Sequence, residues 1–544
     1  MPKTVQKPML FPSGGLVEGY AFAMQPPGTT PSCLNVIGYD PKTDRLRGGS
    51  RSGSSKYCPD QINGDAAVQN INHVVQLLAW SPNLNEDGSP ILEEDGSTSL
   101  QEESALIDAG ERMIVVVGVA GGTAKVLTRD GTTDITNGAL ALSQTRQVIQ
   151  SVPFQGNLYF ADGESAKYYD SDTNTLLDWM ATAGTLPIDD DGNRPTIITL
   201  WAGRILQAGL KSSPRTIFAS AVENPFDNDY SPVVINAQQA FATNTPDSST
   251  ANNPDIITAM LAYSDDTLII GGDTTIHILR GNPVEGGRID LISSITGIAF
   301  GAAWCKSPEG FVYFFGSRGG VYRMSAGGGE PQRLTALTLD DRLSRIDHSK
   351  NAIAMVWDDQ HKGVRLFVTP NAGSGLSASD AMQYFFDVRK EAWWPLDFHN
   401  TNHAPRAVHL FDGPDPFDRV VLFGGQDGYV RQIDRDSSDD DGVSINSFVV
   451  LGPFTATLLM ELQVTLSQGS GNVNWTMIEA DELEEALGES PSSAGSFVAG
   501  RNRSQWPRTY LNAGYLRLSS SESWALERMV VTLQEASATR ARIF

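Results

Sequence analysis

Cysteine is nearly absent, with Cys33, Cys58 and Cys305 the only three in 544 residues. An odd count without paired spacing supports neither a disulfide framework nor a four-thiolate zinc site. Positive charge is scarce as well: 40 Lys and Arg face 64 Asp and Glu, a net charge of −24. With an isoelectric point near 4.6, the surface as a whole repels phosphates and anionic bilayers, so no stable membrane binding is expected. No run approaches about 18 uninterrupted apolar residues, and Met1 to Pro8 lack the apolar core of a secretory signal. Synthesis and folding in a cytoplasm follow as the expectation. Catalytic signatures are missing too: there is no phosphate-binding G-x-x-x-x-G-K-[ST], no G-x-S-x-G and no H-E-x-x-H. The chain therefore reads as no enzyme, without catalytic residues, cofactor or resident metal.

Helical periodicity is also rare, the one credible helix being Asp481 to Leu487 with Gly488 after it. Short Val-, Ile-, Phe- and Tyr-rich runs bounded by Gly, Asp, Asn or Pro dominate instead, which predicts an all-β protein. Four runs share one form, an apolar strand, small or turn residues, then a second strand: Leu158 to Tyr169, Leu268 to Ile278, Tyr313 to Arg323 and Val421 to Arg431. Looser copies start near Val115, Ile205 and Val364, so successive starts lie 43 to 63 residues apart. The shorter spacings match a four-stranded propeller blade of about 40–50 residues. The expected architecture is a β-propeller of about seven blades over residues 71–440, followed by a smaller β-sandwich-like domain over 441–544. In the latter, Leu458, Met460, Leu462, Val464 and Leu466 alternate with Leu459, Glu461, Gln463 and Thr465, the period of a half-buried strand. The Gly-Gly steps at 271, 319 and 424 suit positive φ or close backbone approach.

Residues 1–70 read as an extended arm packed on the propeller or on a neighbour, of which residues 1–60 are expected to be removable without unfolding the propeller but with weakened assembly. The acidic stretch Asp434 to Asp441 reads as a solvated linker, since neither its sixth nor its twelfth position fits a calcium loop. Asp189 to Asn193 reads as a turn, and His399 and His403, four apart between Pro395 and Pro405, as a surface loop. The polar stretches 86–97 and 243–248 read as surface loops. Two basic groups stand out on the acidic chain. Arg45, Arg47, Arg51 and Lys56, threaded by glycines, and Arg501, Arg503 and Arg508 around Trp506, are the candidate assembly interface.

Several segments carry a family likeness: Gln25-Pro26-Pro27-Gly28-Thr29-Thr30, Tyr39-Asp40-Pro41, Arg47-Gly48-Gly49-Ser50-Arg51-Ser52-Gly53, Ile278 to Pro283 and Ala499 to Arg503 with Pro507-Arg508. In these the chain resembles the tail nozzle and tail-tube proteins of short-tailed bacteriophages, described also as phage stabilisation or head-to-tail accessory proteins. The resemblance implies a virion structural protein of the tail, a β-propeller subunit in a ring, commonly a homohexamer, that retains and conducts genomic double-stranded DNA during ejection. Implied partners are further copies of the chain and other tail or connector proteins, with the DNA in transient passage. A lumen lined by carboxylates would let DNA slide. The alternatives are a carbohydrate-binding or hydrolytic propeller using its central pocket, or a receptor-binding tail component.

Overall fold

The computed structural model describes residues 4–59, 61–62, 70–78, 112–120, 123–127, 142, 148–245, 255–325, 327–398, 403–413 and 418–535. Strands dominate, as the sequence predicts. The alternation of apolar residues with turn signals produces antiparallel sheets arranged as the blades of a β-propeller. Five of them have four strands each, built in chain order from residues 150–178, 197–244, 257–293, 304–333 and 351–396. A sixth begins with Ala407–Asp412, Arg419–Gly424 and Val430–Asp434. A three-stranded sheet, Ile71–Leu78, Arg112–Ala120 and Thr123–Leu127, stands beside it.

All seven hairpins read from the sequence are present, each in a different sheet. Their central strands are buried on both faces because neighbouring sheets stack on them: Tyr159, Ile269 and Phe314 are at most 1% exposed. Aromatic pairs lie directly across strands, Tyr159 on Tyr168 at 5.4 Å and Phe314 on Tyr322 at 5.5 Å, both stacked. The Gly-Gly steps divide by role. Gly319 and Gly320 take φ of 81° and 84° in a turn, whereas a Cβ at Gly424 would stand 2.3 Å from Ile71 of the adjacent sheet.

The amino-terminal residues are not a peripheral arm. Gly53–Lys56 pairs antiparallel with Val430–Asp434 and forms the fourth strand of the last sheet, so the first part of the chain seals the last. Thr4–Met9 pairs with Leu526–Glu535 and Cys33–Leu34 with the long strand Ser447–Leu466. The acidic stretch is likewise no solvated linker: Asp439–Asp440 is a strand beside Gly53–Lys56, and Asp440 is 0% exposed. Its burial follows from a partner distant in sequence, Arg51.

The carboxyl-terminal residues supply five strands of a seven-stranded sheet, which Thr4–Met9 and Cys33–Leu34 complete. Ser447–Leu466 runs through its middle, with Thr509–Ser520 along its first half and Leu526–Glu535 along its second. One continuous core joins this sheet to the propeller, combining Trp393, Trp394 and Phe423 with Leu451, Leu462 and Trp524. The helix is shorter than its pattern suggests, Leu483–Ala486, and packs Leu483, Ala486 and Leu487 on Val450 and Tyr515. All three cysteines are free and buried. The stretch 86–97 and His399 lie outside the described residues; of 243–248, Thr243 and Asn244 belong to a strand and Thr245 is buried.

Candidate assembly surface and central cavity

The two basic groups meet different fates. Arg51, 3% exposed, uses all five guanidinium N–H groups inside the chain. Nη1 and Nη2 donate to Asp440 Oδ1 and Oδ2 at 2.9 and 2.5 Å, Nε to Asn35 Oδ1 at 2.9 Å, and the remaining two to the Ser52 and Asp397 carbonyls. Arg51 is therefore corrected from a residue facing a neighbouring subunit to an internal clasp. Arg47 is also committed, to Asp40 and to Glu527 Oε2 at 2.7 Å. Burial opposes ionisation of Asp40, but hydrogen bonds from Arg47, Thr43 and the Lys42 N–H outweigh it and hold the carboxyl below the usual range. Lys56 lies over the Tyr429 ring at 4.0 Å, with Asp441 at 3.9 Å. Arg45 is exposed.

The second group stays outside. Residues 501–505 run antiparallel along the second half of Ser447–Leu466: the Leu462 and Gln505 N–H groups donate to each other's carbonyls, and the Asn502 N–H donates to the Val464 carbonyl. Extended backbone puts Arg501 and Arg503 on one side, both exposed, followed by exposed Trp506, Arg508 and Tyr510. Trp506 is 55% exposed. Among the described residues none of these three arginines has an ion-pair partner. They are unspent cations on a strongly acidic chain.

A third constellation escaped the sequence. Ser52 Oγ is 3.1 Å from His361 Nε2, and His361 Nδ1 is 2.9 Å from Asp358 Oδ2. These are the contacts of a nucleophile, a base and an orienting carboxylate. Arg365 Nε also donates to Asp358 Oδ2 at 2.6 Å, and Tyr39 Oη donates to the His361 carbonyl. Burial holds the His361 imidazole below its usual range despite Asp358. Burial opposes ionisation of Asp358, yet His361 and Arg365 outweigh it and keep the carboxyl far below the carboxylate range. His361 is then a neutral ring donating from Nδ1 and accepting the Ser52 O–H at Nε2. Acyl transfer also needs room for a carbonyl about 3 Å from the nucleophile. Ser52, His361 and Asp358 are 5%, 1% and 2% exposed, and their surroundings are packed. The set ties the amino-terminal segment to the Asn351–Asp358 hairpin. No spacing rule reveals it, because Ser52 is 309 residues from His361.

At the propeller axis lies a cavity of about 490 Å³, lined by the first strands of the sheets. His73 and His409 converge there from strands 336 positions apart, which the sequence reading did not find. His73 Nε2 is 2.7 Å from Ser151 Oγ, and His409 Nε2 accepts the Gln76 N–H at 3.2 Å. Both rings are half-buried and line this space. Burial pushes His73 down to about 3, helped by His409, and His409 down to about 4. Among the described residues no carboxylate lines the cavity; its cations are tied elsewhere, Arg406 to Asn371 Oδ1 and Lys306 to the Tyr263 carbonyl. The expected carboxylate-lined lumen is thus not the propeller's own axis. The space is also far too small for a duplex, whose major groove alone is about 12 Å wide.

The other acidic and histidine candidates resolve as structure. Asn193 donates twice from its side chain and once from its backbone to Asp189, closing a turn. His403 Nε2 stands 3.8 Å from Asp427, beside Arg431. Among the described residues no three potential metal ligands cluster.

No known family matches the chain, and no curated protein matches it in sequence. Solved structures are similar to it at low identity. The extracellular domain of the one-component system BT4673 of B. thetaiotaomicron shares 12% identity over 88% of this chain and 59% of that one, with a TM-score of 0.38. YCF48 of Cyanidioschyzon merolae shares 12% over 68% and 98%, at 0.34. An exo-β-1,3-galactanase of Phanerochaete chrysosporium shares 8% over 64% and 99%, at 0.26. The chain spans about three fifths of the BT4673 domain it matches.

Proposed function

We propose that this chain is a structural subunit of a bacteriophage tail, located in the virion, that forms a ring with other copies and helps retain and conduct genomic DNA. The carrying observation is the exposed, unpaired stripe of Arg501, Arg503, Trp506 and Arg508 on a chain of net charge −24. An isolated molecule gains nothing from such a stripe, whereas an acidic protein partner neutralises it and Trp506 supplies a rigid anchor. The segments that resemble nozzle and tail-tube proteins favour the tail as the place of assembly.

Counting the sheet Ile71–Leu78, Arg112–Ala120 and Thr123–Leu127 as a blade gives seven, consistent with the position of its first strand at the central cavity. The carboxyl-terminal sheet, which shares one core with the propeller, would take the place of the sandwich-like attachment. DNA then passes through a lumen between copies, because the propeller axis is too narrow. There the surplus of carboxylates keeps phosphates from adhering. The subunit acts without catalysis, its Ser52–His361–Asp358 set being sealed inside. Deletion of the gene tests this reading: particles should fill and then leak DNA with loss of infectivity, and electron microscopy should place the protein on the tail axis. Intact, infectious particles without the protein would refute it.

A further inference from the structure

The sheet that carries the arginine stripe also carries an acidic counterpart. The helix Leu483–Ala486 buries its apolar side on Val450 and Tyr515, leaving Asp481, Glu482, Glu484, Glu485 and Glu489 exposed. None of these carboxylates has an ion-pair partner among the described residues. The two patches occupy different parts of one sheet. The helix rests on Val450 and Tyr515 and follows Ala480, which pairs with Ala513, whereas Arg501 and Asn502 run beside Thr465 and Val464 and Arg508 directly precedes Thr509–Ser520. Among the described residues no ion pair joins the patches within one molecule, so both charges stay open to another copy.

We infer that the stripe Arg501, Arg503, Trp506 and Arg508 of one copy docks on the acidic helix around Glu484 and Glu485 of the next, head to tail. This rests on the ring reading and names its contact. Opposite charges on two distinct patches of one sheet make a heterologous interface when the stripe of one copy meets the helix of the next, and such an interface repeats until it closes into a ring or extends as a filament. Self-contact of the stripe through a twofold axis would instead face three arginines with three arginines. Each copy offers one donor patch and one acceptor patch, so every patch in a closed ring is satisfied.

Two variants of the full chain test the inference, Arg501→Gln/Arg503→Gln/Arg508→Gln and Glu482→Gln/Glu484→Gln/Glu485→Gln. All six side chains are exposed, so thermal melting should match the wild type and report intact folding. By sedimentation velocity at 50 mM salt the wild type should form multi-subunit species that dissociate in 1 M salt. Each variant alone should associate at least tenfold more weakly. Mixed, the two should form a 1:1 dimer and nothing larger, because only one complementary pair of patches survives. Undiminished assembly of both variants overturns the inference and leaves the ring reading standing. Loss in the arginine variant alone, with no dimer on mixing, overturns it in favour of another partner for the stripe. A wild-type chain monomeric at every salt concentration and absent from the virion overturns both.

Discussion

Arg51 and Asp440 form a bidentate ion pair that joins residues 389 positions apart, with Nη1–Oδ1 and Nη2–Oδ2 distances of 2.9 and 2.5 Å. Neither side chain reaches solvent, and Arg51 also stacks 4.5 Å from the Phe398 ring centroid. Breaking such a pair from one side leaves a buried charge uncompensated, at a cost of about 3–5 kcal/mol, whereas replacing both partners by apolar residues of similar volume is often near neutral. Asp440→Asn should therefore lower the urea midpoint strongly, and Arg51→Met with Asp440→Leu should recover most of the loss. Equal stability of Asp440→Asn and wild type would show that the clasp contributes nothing.

Removing residues 1–60 should abolish folding. The deletion takes away Gly53–Lys56, the fourth strand of the last sheet, and Thr4–Met9 from the carboxyl-terminal sheet. It bares the edge of Val430–Asp434 and leaves Asp440 buried without its partner, two faults that each expose or strand polar groups. Circular dichroism and size exclusion should show a collapsed or aggregated product. A cooperative melt like that of the full chain would restore the view of these residues as a dispensable arm.

The Ser52–His361–Asp358 set should be chemically silent. A fluorophosphonate probe needs access to Ser52 Oγ, which packing denies, so native protein should not label. Ser52→Ala should cost only about 1 kcal/mol, the worth of one hydrogen bond. Stoichiometric labelling, lost in His361→Gln, would establish an enzyme.

What the sequence could reveal follows from how local each signal is. The hairpins were legible because strand, turn and strand are contiguous: Leu158 pairs with Tyr169 and Leu268 with Leu279 across short connections. The edge-sealing role of Gly53–Lys56 was not, since a strand of small polar residues carries no alternation and its partner lies 380 residues on. The same distance hid the meaning of charge. A basic run and an acidic run each look solvated in isolation, and only the closed ring brings Arg51 to Asp440. Arg501, Arg503 and Arg508 kept their surface reading because neighbours a few residues away already fixed their strand and its exposed side. His73 and His409 show the limit most plainly: each is a lone histidine in an apolar strand, and their convergence belongs to the circular order of the sheets.

Burial of these two rings sets the acid behaviour. The folded His73 and His409 stay neutral down to about 3 and about 4, while an unfolded histidine titrates near its ordinary 6.5. Between these values the unfolded chain binds protons that the folded chain refuses, so stability is full above pH ~6.5 and falls as pH drops through the window. The slope reaches at most about 1.4 kcal/mol per pH unit for each histidine. Carboxylates such as Asp358, held far below their usual range, lose their contribution only below about pH 4, so pH 5 to 6.5 isolates the imidazoles. His73→Asn/His409→Asn should therefore flatten the decline of melting temperature between pH 6.5 and 5 relative to wild type, while the remaining histidines keep some slope. An unchanged slope in the double variant would mean that water fills the axial cavity and solvates both rings. A ligand held there would announce itself differently: it would raise the melting temperature of the wild type at pH 7 in a saturable manner and leave the double variant unmoved.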